Sequence, residues 1–363
     1  MNGAVKAEPN RLPEGGRLDR GRRLAFTFNG RRYRGYAGDT LASALLANGV
    51  TLVARSFKYH RPRGILAAGA EEPNAIVQLE SGARTVPNLR ATQVELYDGL
   101  VAASVNCWPS VGFDLGAIND RVAALLPAGF YYKTFMRPRR LWRTYEYLIR
   151  HAAGLGRAPA EPDPDRYDKI NVHCEVLVAG GGPAGLAAAL AAGRAGARVI
   201  LADEQNEFGG TLLGADAVID GAPALEWVAA AVAELEALEE VRLLHRTTVF
   251  GYYDHNFLGL LQRVTDHLGA DAPAALPRQR LWRVRARQVV LATGAIERPL
   301  VFADNDRPGV MLASAAQAYL KRYAVRPGRR AVVFSSGDSA YLAALDLHAG
   351  GVEVAVVIDP RPE

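Results

Sequence analysis

The sequence contains very few cysteines. Its 363 residues include two, Cys107 and Cys174. Two cysteines cannot form a disulfide framework, and their separation matches no zinc or iron–sulfur motif. The sequence therefore predicts no metal-binding residue, and this cysteine usage is typical of a protein in the reducing cytoplasm.

Long apolar runs are also missing. No stretch reaches the roughly 20 residues that a membrane-spanning helix needs, and the first residues contain no apolar core of a signal peptide. Apolar residues make up 49% of the chain and charged residues 22%, which is typical of a globular protein of two or three domains. We therefore expect a cytoplasmic protein that binds no membrane.

Acidic residues are scarce in the first part of the chain. Residues 1–63 contain 13 Lys and Arg against 4 Asp and Glu, whereas the whole chain has a net charge of +5. A basic region can bind nucleic acid, but this one has no recognisable nucleic-acid motif, so we predict no such partner. The charge instead favours a mobile arm over residues 1–22, or a surface that docks an acidic partner or a phosphate-bearing cofactor.

A glycine-rich turn lies between a predicted strand and a predicted helix. The apolar residues 175–179 predict a buried strand, and the alanine-rich residues 186–194 predict a helix. Between them, Gly180, Gly182 and Gly185 have the spacing G-x-G-x-x-G of dinucleotide-binding proteins. The first glycine allows a tight turn, the second lets the backbone approach a pyrophosphate, and the third lets helix and strand pack closely.

An acidic residue follows at the distance that such a site requires. Asp203 stands 23 residues after Gly180, at the end of a predicted strand, where it can accept a hydrogen bond from a ribose hydroxyl. A carboxylate there would repel a 2′-phosphate, which favours NAD over NADP. Glu204 is a second candidate for this role. The alternative for the whole turn is an ordinary glycine-rich connection between strand and helix.

Further elements complete a predicted Rossmann-type domain over residues 169–325. Gly209 and Gly210 follow the acid and allow another close approach of backbone to the nucleotide. A second buried strand ends in Thr293-Gly294. The remaining pattern predicts helices at 223–240 and 310–323, a strand at 241–244 and a hairpin at 257–283.

Residues 23–125 predict a small β-grasp domain. A hairpin, a helix and two short strands are indicated at 24–28 and 31–36, 41–47, 75–79 and 93–96. This is the layout of a plant-type [2Fe–2S] ferredoxin, whose cluster cysteines lie in the loop after the helix. Here that loop, residues 55–70, contains no cysteine, so we predict a ferredoxin-like domain without a cluster. Its basic residues and His60 could bind a phosphate, and the alternative is a basic loop exposed to solvent.

Residues 126–168 are predicted to connect the two domains. The segment 127–150 interleaves aromatic and basic residues, which can indicate nucleic-acid binding. We favour the alternative that its aromatic side chains pack on a neighbouring domain. The proline-rich residues 154–167 then form the linker.

Residues 326–363 predict the start of a second βαβ unit. Two strands, at 330–334 and 352–358, flank a helix at 339–348, and Ser335 stands where the first glycine of the phosphate-binding turn would be. A doubly wound sheet needs more strands than these. We therefore expect a fragment of a longer polypeptide, or a domain that partners complete.

Together these features resemble the α subunit of heterotetrameric sarcosine oxidase. The resemblance covers residues 20–363, as the N-terminal portion of such a subunit. It is carried by the motifs KYHRPRGI (58–65), AGAEEPN (68–74), GGGPAGL (180–186), FGGTLL (208–213), ATGAIERP (292–299) and GDSAY (337–341).

The resemblance implies an assembly with β, γ and δ subunits that oxidatively demethylates sarcosine to glycine with O2. The other products are hydrogen peroxide and formaldehyde, or methylenetetrahydrofolate when tetrahydrofolate is present. It implies NAD on this chain, FMN at the interface with the β subunit, FAD on that partner, and tetrahydrofolate in a C-terminal part that this sequence lacks. It implies no catalytic residue here, since amine oxidation belongs to the partner.

Carried over by position, the resemblance also implies which residues line the NAD site. They are Gly180, Gly182, Pro183, Ala184, Gly185, Asp203, Glu204, Gly209, Gly210, Thr211, Thr248, Val249, Thr293 and Gly294. Two alternatives remain. One is an FAD-binding α subunit of a related amine, opine or cyanide-forming dehydrogenase, although such relatives need cysteines in the loop 55–70. The other is a nucleotide-binding scaffold without redox activity.

Overall fold

The computed structural model describes residues 8–125, 129, 137–153 and 156–362. The chain divides into two compact units: unit 1 comprises residues 1–163 and 298–363, and unit 2 comprises residues 164–297. This division differs from the predicted domain boundaries, since residues 298–325 pack within unit 1. Residues 126–128, 130–136 and 154–155 of the predicted connector lie outside the described residues.

Unit 1 contains a five-stranded sheet of the β-grasp type. Its strand order is β2-β1-β7-β5-β6, with β1 and β7 parallel and β1 and β2 antiparallel. Asn29 and Gly30 both have positive φ, at 50° and 74°, which is the backbone of the predicted two-residue hairpin turn. The strands before residue 125 are β1 (Asp19–Phe28), β2 (Arg31–Ala37), β3 (Ala54–Arg55), β4 (Pro62–Arg63), β5 (Ile76–Leu79), β6 (Val86–Arg90) and β7 (Val101–Ser104).

The helices of this segment are α1 (Leu41–Ala47), α2 (Ile118–Arg121) and α3 (Trp142–Ala153). The predicted helix α1 is confirmed, and the hydroxyl of Thr40 caps it by accepting from the backbone N–H of Ser43 at 3.1 Å. All seven of its residues are buried against the sheet. The predicted strand at 93–96 is wrong, because Gln93 ends a short 3₁₀ turn and Glu95 makes only an isolated bridge with Thr40.

Residues 8–22 are attached to unit 1 and do not form the predicted mobile arm. The guanidinium of Arg11 lies 2.6 Å from the carboxylate of Asp39, and both side chains are almost fully buried. Arg11 also donates to the carbonyl of Tyr323 at 2.7 Å. Asp39 in turn accepts from the backbone N–H of Tyr36 and the hydroxyl of Ser43. The basic charge seen in the sequence is thus partly neutralised inside the fold.

Unit 2 is built on a six-stranded sheet of order β12-β9-β8-β15-β14-β13. The first four strands of this order are parallel, and β14 and β13 add antiparallel neighbours. The strands of unit 2 are β8 (Tyr167–Ala179), β9 (Val199–Ala202), β10 (Val218–Ile219), β11 (Ala222–Pro223), β12 (Val241–Leu244), β13 (Thr247–Tyr253), β14 (Phe257–Arg263) and β15 (Gln279–Leu291). Of these, β10 and β11 form a separate two-stranded sheet. Its helices are α4 (Pro183–Arg194) and α5 (Ala224–Ala237).

Successive residues of β8 face opposite sides of this sheet, because side chains alternate along a strand. Val178 packs with α4 and α5, whereas Leu177 packs with apolar residues of β14 and β15. The predicted hairpin is confirmed by the pairing of β14 with β15. The predicted burial of the strand before Thr293 is wrong at its end, since Leu291 is 63% exposed.

The residues of unit 1 that follow position 297 contain α6 (Ala313–Lys321), β16 (Arg330–Phe334), α7 (Ser339–Ala349) and β17 (Glu353–Ile358). Strands β16 and β17 are parallel, which confirms the predicted second βαβ unit. Helix α6 belongs to the core of the β-grasp sheet, because Ala315 and Tyr319 are buried in the same cluster as Phe26 and Leu45. Within the described part of the chain, no helix has the length and apolarity needed to cross a membrane.

Replacing Arg11 by Ala is expected to destabilise the protein, because it leaves the buried carboxylate of Asp39 without its ion pair. The loss should be about 3 kcal/mol, measured by denaturant unfolding of the full chain. Arg330→Ala is the control, because Arg330 pairs with Glu353 while 69% exposed and should have little effect. Equal effects of the two substitutions would contradict the anchoring role of Arg11.

Candidate dinucleotide site

The glycine turn at the end of β8 is shaped by close backbone contacts. Gly180 has a φ of 103°, and a Cβ there would overlap the carbonyl oxygen of Ala292. A Cβ at Gly185 would overlap the carbonyl oxygen of Gly180. Only residues without a side chain fit these positions, and they allow α4 to begin directly beside the end of β8.

The N-terminus of α4 is suited to bind an anion. Gly182 occupies the N-cap position without a side-chain cap, Pro183 is at the first helical position, and the first turn contains no acidic residue. The first backbone N–H groups of a helix have no partner within the helix, and the helix dipole adds positive potential there. The nearest atom to a Cβ at Gly182 is Gly210 Cα at 3.8 Å, so the approach to this turn is sterically open.

Asp203 holds its carboxylate against the same turn. One carboxylate oxygen accepts from the backbone N–H of Gly181 at 2.6 Å, and the other accepts from the N–H of Gln205 at 2.8 Å. A carboxylate is a hydrogen-bond acceptor of the kind that a ribose diol requires. Glu204 differs, since its backbone carbonyl accepts from the guanidinium of Arg263 at 2.6 Å. This contact involves the backbone of Glu204 and not its carboxylate, so the choice of Asp203 over Glu204 for the ribose stays a prediction.

The second glycine pair joins this turn from the other side. The N–H of Gly209 donates to the carbonyl of Gly181 at 2.8 Å. Gly209 and Gly210 have φ values of 130° and 55°, and a Cβ at Gly210 would lie 2.9 Å from Gly182 Cα. Thr211 follows in the 3₁₀ turn 210–214. Two glycine segments therefore meet where a pyrophosphate would lie.

The remaining predicted residues reach the site from two other strands. Thr247, the first residue of β13, donates its N–H to the carbonyl of Asp203 at 2.6 Å, and Thr248 and Val249 follow it in the strand. Thr293 lies next to the first glycine, because its Cα is 3.2 Å from the position of a Cβ at Gly180. Gly294 follows with a φ of 73° and open space around it. The assignment of all these residues to a nucleotide stays a prediction.

Phe208 and His245 support the site and were missed as members of it. Phe208 is buried directly beneath Gly181, where a Cβ would overlap its ring. The imidazole of His245 packs on this ring with centroids 4.1 Å apart. Burial, with a smaller contribution from Arg246, lowers the pKa of His245 and so favours its neutral form. The extra glycine in the run 180–182 was the signal that something large packs beneath it.

The basic loop of unit 1 does not offer its arginines to a phosphate. Arg61 donates to Asp304 and Asp306, each at 2.7 Å, and Arg63 also pairs with Asp306. His60 is buried and its Nδ1 lies 2.6 Å from the carboxylate of Asp114. Because carboxylates of this chain already pair with Arg61 and Arg63, these two arginines no longer support the phosphate hypothesis for this loop.

The chain is similar to known proteins along most of its length. Residues 174–363 match the pyridine nucleotide-disulphide oxidoreductase family, and the chain belongs to that family. Residues 21–107 match a 2Fe-2S iron-sulfur cluster binding domain. L-proline dehydrogenase from P. horikoshii shares the fold over 97% of this chain and 55% of its own, with a TM-score of 0.62 and 21% identity.

More particular similarity confirms the predicted resemblance. The chain is 56% identical over 353 residues to the alpha subunit of sarcosine oxidase from Rhizobium meliloti, covering 97% of this chain and 36% of that protein. It is 44% identical to the same subunit of Corynebacterium sp. strain P-1, over 94% of this chain and 31% of that protein. The chain thus spans about a third of the length of these relatives. An opine oxidase subunit of Agrobacterium tumefaciens is 33% identical, over 51% of this chain and 36% of that protein.

Gly185→Ala is expected to destabilise unit 2, because the new methyl group overlaps the carbonyl oxygen of Gly180. A loss of about 3 kcal/mol, at the upper end for overpacking, should be seen in denaturant unfolding. Gly337→Ala serves as the control, since a Cβ there meets nothing within 4 Å and its φ is not positive. A wild-type unfolding curve for Gly185→Ala would contradict the close packing of α4 on β8.

Proposed function

We propose that the chain is the NAD-binding portion of an α-type subunit of a heterotetrameric sarcosine oxidase. That enzyme demethylates sarcosine to glycine with O2 and yields hydrogen peroxide and formaldehyde, or methylenetetrahydrofolate. The observation that carries the proposal is coverage: sarcosine oxidase α subunits match 94–97% of the chain. Opine oxidase and hydrogen cyanide synthase subunits match 50–51% of it.

NAD is the dinucleotide that the site residues fit best. The uncapped N-terminus of α4 and the two glycine segments accept a pyrophosphate, and Asp203 accepts from a ribose diol. A 2′-phosphate would bring negative charge beside this carboxylate. When bound, NAD supplies a nicotinamide ring that can exchange a hydride. FAD, as proposed for an opine or cyanide-forming relative, is the alternative that cofactor analysis distinguishes.

The chemistry of amine oxidation is assigned to the β subunit, which carries FAD and the substrate. FMN lies at the interface of this chain with that subunit, and γ and δ subunits complete the assembly in the cytoplasm. Tetrahydrofolate binds a C-terminal part of such α subunits that lies outside this sequence. We assign no catalytic residue and no metal to this chain.

Affinity purification of the full-length subunit from its native cells tests this proposal. The tagged protein should retain a flavoprotein partner, and the complex should form hydrogen peroxide in proportion to added sarcosine. Oxidation of an opine, or of glycine to cyanide, without sarcosine activity would assign the chain to the other relatives. Recovery of the subunit with no flavoprotein would support a scaffold and contradict the proposal.

Gly182→Ala is expected to weaken dinucleotide binding without destabilising the fold. The added methyl group contacts only Gly210 Cα at 3.8 Å, but it occupies the approach to the N-terminus of α4. NAD affinity should fall at least about tenfold in a calorimetric titration, since one lost phosphate contact costs about 1.5 kcal/mol or more. Unchanged NAD affinity would place the pyrophosphate elsewhere. The unfolding curve of Gly182→Ala should match that of the unmodified chain, which excludes damage to the fold as the cause of weaker binding.

Asp203→Asn is expected to reduce the preference for NAD over NADP. It removes the charge that accepts from the ribose and repels a 2′-phosphate, so NAD affinity should fall about 10- to 100-fold while NADP loses less. Glu204→Gln is the matched control one residue along and should change neither affinity by more than about twofold. Tighter binding of NADP than of NAD by the unmodified chain would overturn the assignment.

A further inference from the structure

The ferredoxin-like domain does not supply the ligands of an iron–sulfur cluster. Residues 21–107 match a cluster-binding domain, yet they contain one cysteine, Cys107, whereas a [2Fe–2S] cluster is held by four side chains. Burial raises the pKa of the Cys107 thiol, which disfavours the thiolate that a metal needs. Among the residues that the structure describes, no group of three or more His, Cys, Asp or Glu is arranged to hold a metal ion.

A buried carboxylate lies two residues after the predicted cluster loop 55–70, in the overlapping segment 64–75. Glu72 is completely buried, and each of its two oxygens accepts from two backbone N–H groups. One oxygen receives those of Leu66 and Ala67 at 2.8 and 2.7 Å. The other receives those of Asn74 and Ala75 at 2.7 and 2.8 Å. Four donors match the acceptor capacity of an ionised carboxylate.

The segment 64–75 follows α1 and β4 in the chain, as the cluster loop of a plant-type ferredoxin follows its helix. Backbone N–H groups around such a cluster donate hydrogen bonds to its sulfur atoms. Here the same kind of inward-facing amide donates to a side chain of the loop itself. We propose that the carboxylate of Glu72 takes the place of a cluster as the anion that organises residues 64–75. The domain is then a structural module that transfers no electrons.

Other contacts close the loop around Glu72 without a metal. The hydroxyl of Tyr319 in α6 donates to the carbonyl of Ala67 at 2.8 Å, and the hydroxyl of Thr92 donates to that of Gly69 at 2.7 Å. Leu312 adds a backbone bond to Leu66 at 2.8 Å. Complete burial raises the pKa of Tyr319 well above its usual value, so its hydroxyl stays a donor. The carbonyls of Leu66, Ala67 and Gly69 are therefore paired with groups outside the loop, while the N–H groups of Leu66 and Ala67 are paired with Glu72.

Glu72 must be a carboxylate because four backbone N–H groups donate to its two oxygens. Glutamine has nearly the same shape, but it replaces one acceptor oxygen by an NH₂ donor. In Glu72→Gln, one pair of backbone N–H groups would therefore face another donor in a fully buried place. Glu71→Gln makes the same chemical change one residue earlier, at a side chain that is not fully buried, and serves as the matched control.

The test compares the full-length chain with these two variants. Peptide-resolved hydrogen exchange should show that the amides of Leu66, Ala67, Asn74 and Ala75 are protected in the unmodified protein. In Glu72→Gln their exchange should accelerate at least about tenfold, and the midpoint of thermal unfolding should fall by about 5–10 °C. Glu71→Gln should leave both measurements close to those of the unmodified chain.

Iron and acid-labile sulfide are measured on the unmodified chain purified without oxygen. The proposal predicts that the unmodified chain contains no iron and no acid-labile sulfide and that its loop amides are protected. Neither measurement depends on the folding of a variant. Stoichiometric iron and sulfide would overturn it. Loop amides that exchange freely in the unmodified chain, or equal effects of the two substitutions, would also overturn the role of Glu72.

Discussion

Backbone-to-backbone contact at the end of β8 is the constraint on which the candidate site depends. Gly180 and Gly185 leave no space for a Cβ, because carbonyl oxygens of Ala292 and Gly180 occupy it. This closeness places the start of α4 beside the ends of β8 and β15. The sheet then brings Asp203 and the second glycine pair to the same edge. This packing produces the turn geometry that the proposed phosphate-bearing ligand would need.

Both units use a carboxylate to fix a backbone segment. In unit 2, Asp203 is half-buried and accepts from two N–H groups, and so holds the glycine turn. In unit 1, Glu72 accepts from four N–H groups and is completely buried. The difference in burial supports the two proposed roles, since a partly exposed carboxylate can bind a ligand and an enclosed one can only stabilise its loop.

The sequence predicted those elements that local chemistry determines. The turn at Asn29-Gly30, the helix α1 and the glycine turn depend on residue types at neighbouring positions, and all three were found. Long-range packing could not be predicted in this way. The attachment of Arg11 to Asp39 joins positions 28 residues apart, and α6 enters the core of the β-grasp sheet more than 200 residues after its strands. The short strands β6 and β7 lack the alternation that identifies a strand, and Glu72 carries no local signal of its burial.

Identification of the nucleotide that the full-length chain carries decides whether the glycine turn holds NAD. The purified protein is denatured, and the released small molecules are separated by chromatography and identified by mass. The account predicts NAD from this chain and no flavin in the absence of its partners. Release of FAD by the isolated chain would contradict it, and a chain that neither carries nor binds NAD would remove the basis for a dinucleotide at the glycine turn.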